Sequence, residues 1–276
     1  MLNIQHFTKI YSGGHKAVDD LSLFVAPGDI YGFIGRNGAG KTTTIKSVCG
    51  VIDFDEGEIT IDGHSIKSDP IAAKQVLAYI PDNPDLYEHL TGIQYLTFIS
   101  AIYGVPKEEF KSRLTHYAET FELTGALGDL VGSYSHGMKQ KLSIIAAMIH
   151  QPKLLILDEP FVGLDPKASL TLKGIMHELV EEGGAIFFST HVLDVAEKLC
   201  NKIAIIRDGR LIADGEIEAV KGNQSLEDVF MEVSEGIDKN KVEENAADAV
   251  RESTDPTAGV FHSTKSGSSG LFRFRK

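Results

Sequence analysis

Residues 35–42 read Gly-Arg-Asn-Gly-Ala-Gly-Lys-Thr, and they lie between a strand-like apolar run, IYGFI at 30–34, and a helix-like run, TTIKSV at 43–48. A glycine-rich turn in that setting is a cradle for an oligophosphate. Glycines 35, 38 and 40 let the backbone wrap closely around the anion with its N–H groups pointing inward, and the following helix presents the positive end of its dipole. Lys41 is then placed to reach the β and γ phosphates and Thr42 to ligate Mg²⁺. Asn37, Gly38, Ala39, Gly40 and Thr43 complete the expected nucleotide-binding set.

Three further signals stand at informative places. LLILDEP, Leu154 to Pro160, begins with four consecutive apolar residues and reads as a strand buried on both faces of a parallel sheet, ending in two adjacent carboxylates. Ligands of such sheets bind beyond the carboxyl ends of the strands. Asp158 is therefore expected in the magnesium shell and Glu159 beside an attacking water. AIFFSTH, Ala185 to His191, is a second strand that ends in a polar residue and a histidine. In YSHGMKQKLSIIAAMI, from Tyr134, Ser135 and Gly137 precede a long amphipathic helix and offer another helix N-terminus to phosphate. Ser135 also suits a plain N-cap, and the two roles are compatible.

Composition narrows the class. The chain has 276 residues, 42% of them hydrophobic, enough for one large domain with a real core. Its most apolar stretch, LSIIAAMIHQPKLLILDEPF, is broken by Pro152 and Lys153 and ends in carboxylates, so no membrane-spanning segment is expected. The N-terminus, MLNIQHFTKIY, alternates like a strand and lacks the apolar core of a signal peptide. Lys and Arg number 27 against 39 Asp and Glu, a net charge of −12, which argues against a surface built to neutralise nucleic acid. Cys49 and Cys200 have no second cysteine or histidine at ligand spacing, so buried free thiols are expected.

Together these motifs resemble the ATP-binding subunit of an ABC transporter, over roughly residues 2–234. The resemblance makes residues 35–42 the Walker A loop, LLILDE the Walker B strand with Glu159 as catalytic base, Gly163 to Asp165 the D-loop, and His191 the switch histidine. It places Ser135 and Gly137 in the signature motif and Tyr11 against adenine, where the bland alternative is an ordinary strand aromatic. It implies an α/β fold: a P-loop NTPase core with a mostly parallel sheet, an antiparallel β-subdomain and an α-helical subdomain. ATP and Mg²⁺ are the implied cofactors. Each ATP would lie between Walker A of one subunit and the signature motif of a second copy. Walker A, Glu159 and His191 are all intact, which favours a homodimer.

Two positions depart from the family pattern. His136 stands where glycine is usual in the signature motif, and Asp82 where glutamine is usual. Asp82 is expected as a third metal-side residue, acting through a bridging water; the alternative is a turn residue before Pro84.

The ATPase domain is expected to span 1–235, with strands at 1–30 and 51–66, a helical subdomain at about 83–150 that meets an integral membrane partner, and alternating strand and helix over 151–220. Residues 236–276, rich in Ser, Gly and charge, are expected as a largely disordered tail. SHGMKQK and SLEDVFMEV look like exporters with separately encoded membrane subunits, which puts the chain at the cytoplasmic face of the membrane. The competing reading is a soluble ABC-type ATPase acting on ribosomes or nucleic acid.

Overall fold

A computed structural model describes residues 1–235. Its first sheet is antiparallel and has four strands. β1 (Leu2–Tyr11) pairs with β2 (His15–Val25) and with β4 (Glu56–Ile61), which in turn pairs with the two-residue β5 (His64–Ser65). The expected antiparallel β-subdomain is this sheet.

The second sheet has six strands in the order β10-β9-β3-β8-β7-β6. β3 (Ile30–Ile34), β6 (Leu77–Ile80), β7 (Leu154–Asp158), β8 (Ala185–Thr190) and β9 (Lys202–Arg207) are parallel, and β10 (Arg210–Glu216) closes one edge in the antiparallel sense. β8 thus lies between β3 and β7, and their three carboxyl ends open side by side at one edge of the sheet.

Period-two alternation assigns each strand's side chains to one of two cores. Leu155, Leu157, Ile186 and Phe188 join one apolar cluster with helix residues such as Leu142, Ile145, Leu172 and Met176. Leu154, Ile156, Phe187, Tyr31 and Phe33 join the other, with Ile45, Val48 and the antiparallel sheet. Because both faces are covered, the central strands read as unbroken apolar runs. The same alternation puts Asp158 and Ser189 on the face of Ile156 and Phe187, which is the face covered by α1 (Lys41–Val48).

The remaining helices follow local chemistry. α2 (Pro70–Gln75) starts on a proline at its first position. α3 (Gly92–Ile102) is opened by a reciprocal box in which the Gln94 N–H donates to Thr91 Oγ1 and the Thr91 N–H donates to Gln94 Oε1 at 2.9 Å. Pro106 is the residue preceding α4 (Lys107–Thr120). α5 (His136–Ile149) carries the buried run from Leu142 to Ile149. α6 (Pro166–Glu181) and α7 (Leu193–Leu199) cross between core strands, while α8 (Ile217–Lys221) and α9 (Leu226–Glu235) follow β10. Among the described residues no helix is long and apolar enough to cross a membrane. Cys49 and Cys200 are both free and buried. The expected tail, 236–276, lies outside the described residues.

Candidate active site

The loop between β3 and α1 has the conformation that its glycines permit. Gly38 and Gly40 sit at φ +82° and +110°, and a Cβ on Gly40 would come within 2.6 Å of the Ala17 carbonyl oxygen. A side chain at Gly40 is thus excluded twice over, by backbone and by space. No side chain caps α1, whereas Ser135, Asp165 and Thr91 cap α5, α6 and α3. The first-turn amides of α1 are therefore left for a ligand, and an anion is the ligand that they and the helix dipole favour. Arg36, Asn37, Gly38 and Thr42 are exposed around this opening, while Ala39, Gly40 and Lys41 are buried.

Lys41 is folded back on its own loop. Its ammonium donates to the Gly35 carbonyl at 2.7 Å and stands 3.9 Å from Glu159 Oε1. Burial holds its pKa below the ordinary lysine value, against the opposing pull of Glu159 and Asp158. Weak backbone acceptors and one carboxylate at that distance are contacts that phosphate oxygens replace with stronger ones.

Asp158 and Glu159 leave the sheet in different directions. Asp158, almost fully buried, accepts a hydrogen bond from the Ser189 hydroxyl on the neighbouring strand. Glu159 takes up the left-handed conformation, φ +49°, which for a non-glycine residue is a strained setting. Its N–H donates to Ser189 Oγ at 3.2 Å and to the Ser189 carbonyl at 3.3 Å. The turn swings the Glu159 carboxylate toward β8, where Oε1 lies 2.8 Å from His191 Nδ1. Lys41, Glu159 and His191, from three separate stretches of chain, meet at one carboxylate.

Other expected residues stand apart from that cluster. Tyr11 ends β1 with its ring exposed and the Lys9 ammonium 5.5 Å from the ring centre. Ser135 accepts the Met138 N–H as the N-cap of α5, and Gly137 lies against the Gly163 carbonyl. Among the described residues no hydrogen bond or ion pair joins Ser135 or Gly137 to the loop at 35–43. Asp82 is exposed, and its Oδ1 accepts the Asn83 N–H at 2.8 Å, the local geometry of a turn residue.

The residues present fit a divalent ion held largely by substrate. Among the described residues no three His, Cys, Asp or Glu side chains form a metal cage. One buried carboxylate, Asp158, and one exposed hydroxyl, Thr42, flank a phosphate cradle, which is the sparse donor set that Mg²⁺ uses when phosphates supply the rest.

Sequence reasoning missed Ser189. Its hydroxyl holds Asp158 and receives the Glu159 N–H, so it sets the geometry of both carboxylates. The sequence shows only that the apolar run AIFF closes on two hydroxyl residues, Ser189 and Thr190; that Ser189 is the one paired with Asp158 comes from the parallel register of β7 and β8.

Comparison with known proteins identifies the family. The family model described as ABC transporter matches residues 18–162. The chain is similar to the ABC-type transporter ATP-binding protein EcsA of Bacillus subtilis (strain 168), 34% identical over 239 residues, covering 85% of this chain and 96% of that protein. It is also similar to the bacitracin transport ATP-binding protein BcrA of Bacillus licheniformis, 39% identical over 215 residues, covering 78% and 69%. A solved structure of an ATP-binding subunit of an ABC transporter superimposes with a TM-score of 0.82 at 34% identity, covering 84% of this chain and 99% of that one. With the phosphate loop, the paired carboxylates and the histidine in place, this chain belongs to the ABC transporter ATP-binding proteins, α/β enzymes that bind and hydrolyse ATP.

Proposed function

We propose that this chain is the ATP-hydrolysing subunit of an exporter, that it works as a homodimer, and that it binds peripherally to a separately encoded membrane subunit at the cytoplasmic face. The observation that carries the hydrolytic part is the convergence of Lys41 and His191 on Glu159 at the mouth of the phosphate loop. In this reading the α1 amides and Lys41 hold the phosphates, Tyr11 stacks on adenine, and Glu159 orients the attacking water and takes its proton. His191 fixes the Glu159 carboxylate. Thr42 and Asp158 hold Mg²⁺, with Asp82 acting through water; the ion, when bound, neutralises phosphate charge. Ser135 and Gly137 of a second copy close over the γ-phosphate.

Export is supported by the similarity to the bacitracin transport ATP-binding protein and by the sequence SHGMKQK at residues 135–141. A membrane partner is supported by the exposed rings of Tyr87 and Phe98, with centres 5.7 Å apart, in the segment between β6 and α4. Affinity purification of the full chain from detergent-solubilised membranes of its own host tests the assignment. Recovery of an integral membrane protein in stoichiometric amount is expected. Recovery of ribosomes or nucleic acid without one would overturn it.

A further inference from the structure

The His136 ring, in the N-terminal turn of α5, is seated on another loop of the same chain. Gly163 has φ +82°, and a Cβ there would meet His136 Cδ2 at 2.4 Å and Nε2 at 2.6 Å. The imidazole therefore fills the space that any larger residue at 163 would need. A Cβ on Gly137 would stand 3.1 Å from the Gly163 carbonyl, so two successive residues of α5 press on one glycine. At the far end of the same loop, Lys141 Nζ lies 2.8 Å from Asp165 Oδ2, whose other oxygen accepts the Ala168 N–H and caps α6. Both ends of Gly163–Asp165 are thus gripped by α5.

The grip is one of shape more than of hydrogen bonds. Gln140 follows His136 by four residues and Gly137 by three, so it shares their helix face. It is fully buried, and neither its Oε1 nor its Nε2 has a partner among the described residues. At the Gly163 end, away from the Lys141–Asp165 ion pair, the contact is a ring on a bare backbone, and its setting changes with the fit of those surfaces.

We propose that His136 is a positioning residue: its imidazole, seated on Gly163, sets the loop Gly163–Asp165 against the first turn of α5, so that this loop and Ser135 are presented together to an ATP held between two copies. The inference rests on the two-copy reading above for its functional consequence, and on the His136–Gly163 contact for its structural part.

The test uses the full chain carrying Glu159→Gln, with His136→Ala and His136→Phe added separately. Phenylalanine keeps a flat ring over Gly163 and removes the ring nitrogens. In the ATP-free protein, backbone hydrogen exchange at residues 162–165 should be about tenfold faster with alanine and return to the parent rate with phenylalanine. ATP-dependent dimerisation, followed by sedimentation, should weaken about fivefold with alanine and recover to within about twofold with phenylalanine. Unchanged exchange in His136→Ala would overturn the proposal, as would a phenylalanine variant as defective as alanine, because the imidazole nitrogens would then contact ATP or the second copy directly. A parent protein that forms no ATP-dependent dimer would contradict the two-copy reading, while the exchange measurement would still decide the His136–Gly163 coupling.

Discussion

His191 Nδ1 lies 2.8 Å from Glu159 Oε1, and Glu159 makes that contact from a backbone turned into the left-handed region directly after β7. A carboxylate that must orient water gains from a fixed rotamer, and the histidine supplies the fixing bond. His191→Ala is expected to lower turnover by about 10²-fold or more with little change in ATP affinity. Steady-state hydrolysis combined with equilibrium nucleotide binding checks this; turnover within twofold of the parent would remove His191 from the mechanism.

Ser189 holds Asp158 and the Glu159 N–H from the neighbouring strand. Residues that orient a metal ligand commonly change metal affinity by tenfold or more when lost. Ser189→Ala should therefore raise the Mg²⁺ concentration for half-maximal hydrolysis by about tenfold, while nucleotide binding in EDTA stays the same. Superimposable Mg²⁺ titrations would mean that Asp158 needs no such support.

Asp82 faces two readings that one titration separates. Its contact with the Asn83 N–H is that of a turn. A water-bridged metal role predicts that Asp82→Ala lowers Mg²⁺-dependent hydrolysis, and weakens stimulation by the membrane subunit, more than it weakens ATP binding. ATPase activity measured against Mg²⁺, with and without that subunit, gives the answer; identical curves in both conditions leave Asp82 as a turn residue.

His150, the C-cap residue of α5, supplies a pH signature. Its ring is stacked on Tyr103, with centres 3.6 Å apart and planes 13° from parallel, and its Nε2 lies 3.2 Å from the Leu77 carbonyl oxygen. Burial pushes its pKa down from the ordinary 6.5 to about 4. As pH falls through 6.5 the unfolded chain takes up this proton and the folded chain does not, so stability is lost from there down to about pH 4. Full loss amounts to about 3 kcal/mol. His150→Phe keeps the stacking and removes the titration. Its denaturation midpoint should fall less between pH 7 and pH 5 than that of the parent, and parallel pH profiles would contradict the assignment.

What the sequence disclosed, and what it withheld, follows from which interactions are local. The phosphate loop, the buried strand before Asp158 and the cap at Ser135 are short-range patterns, and each was legible because glycine conformation, strand alternation and helix capping act within a few residues. The two-sheet division was legible for the same reason, from the alternation in VDDLSLFV and GEITIDG against the unbroken run LLIL. Ser189 was not, because its role comes from strand order: β8 lies between β3 and β7, a consequence of long-range packing that puts Ser189 in register with Asp158. The seat of His136 on Gly163 was equally hidden, since the two residues lie on separate elements that only the folded core brings together. Asp82 is a different case: its turn contact with the Asn83 N–H is local, whereas a water-bridged role at the metal depends on groups that the sequence around it does not contain.

The central claim is that Glu159 supplies the base for hydrolysis of an ATP enclosed between two copies of this chain. Glu159→Gln keeps the shape of the side chain and removes its basicity. Sedimentation of this variant with Mg²⁺ and ATP, alongside its turnover, tests the claim most directly. The account predicts that turnover falls by roughly 10²–10⁴, that ATP still binds, and that a stable ATP-bound dimer accumulates and is absent with ADP. Parental turnover, or a variant that binds ATP and remains monomeric, would contradict it.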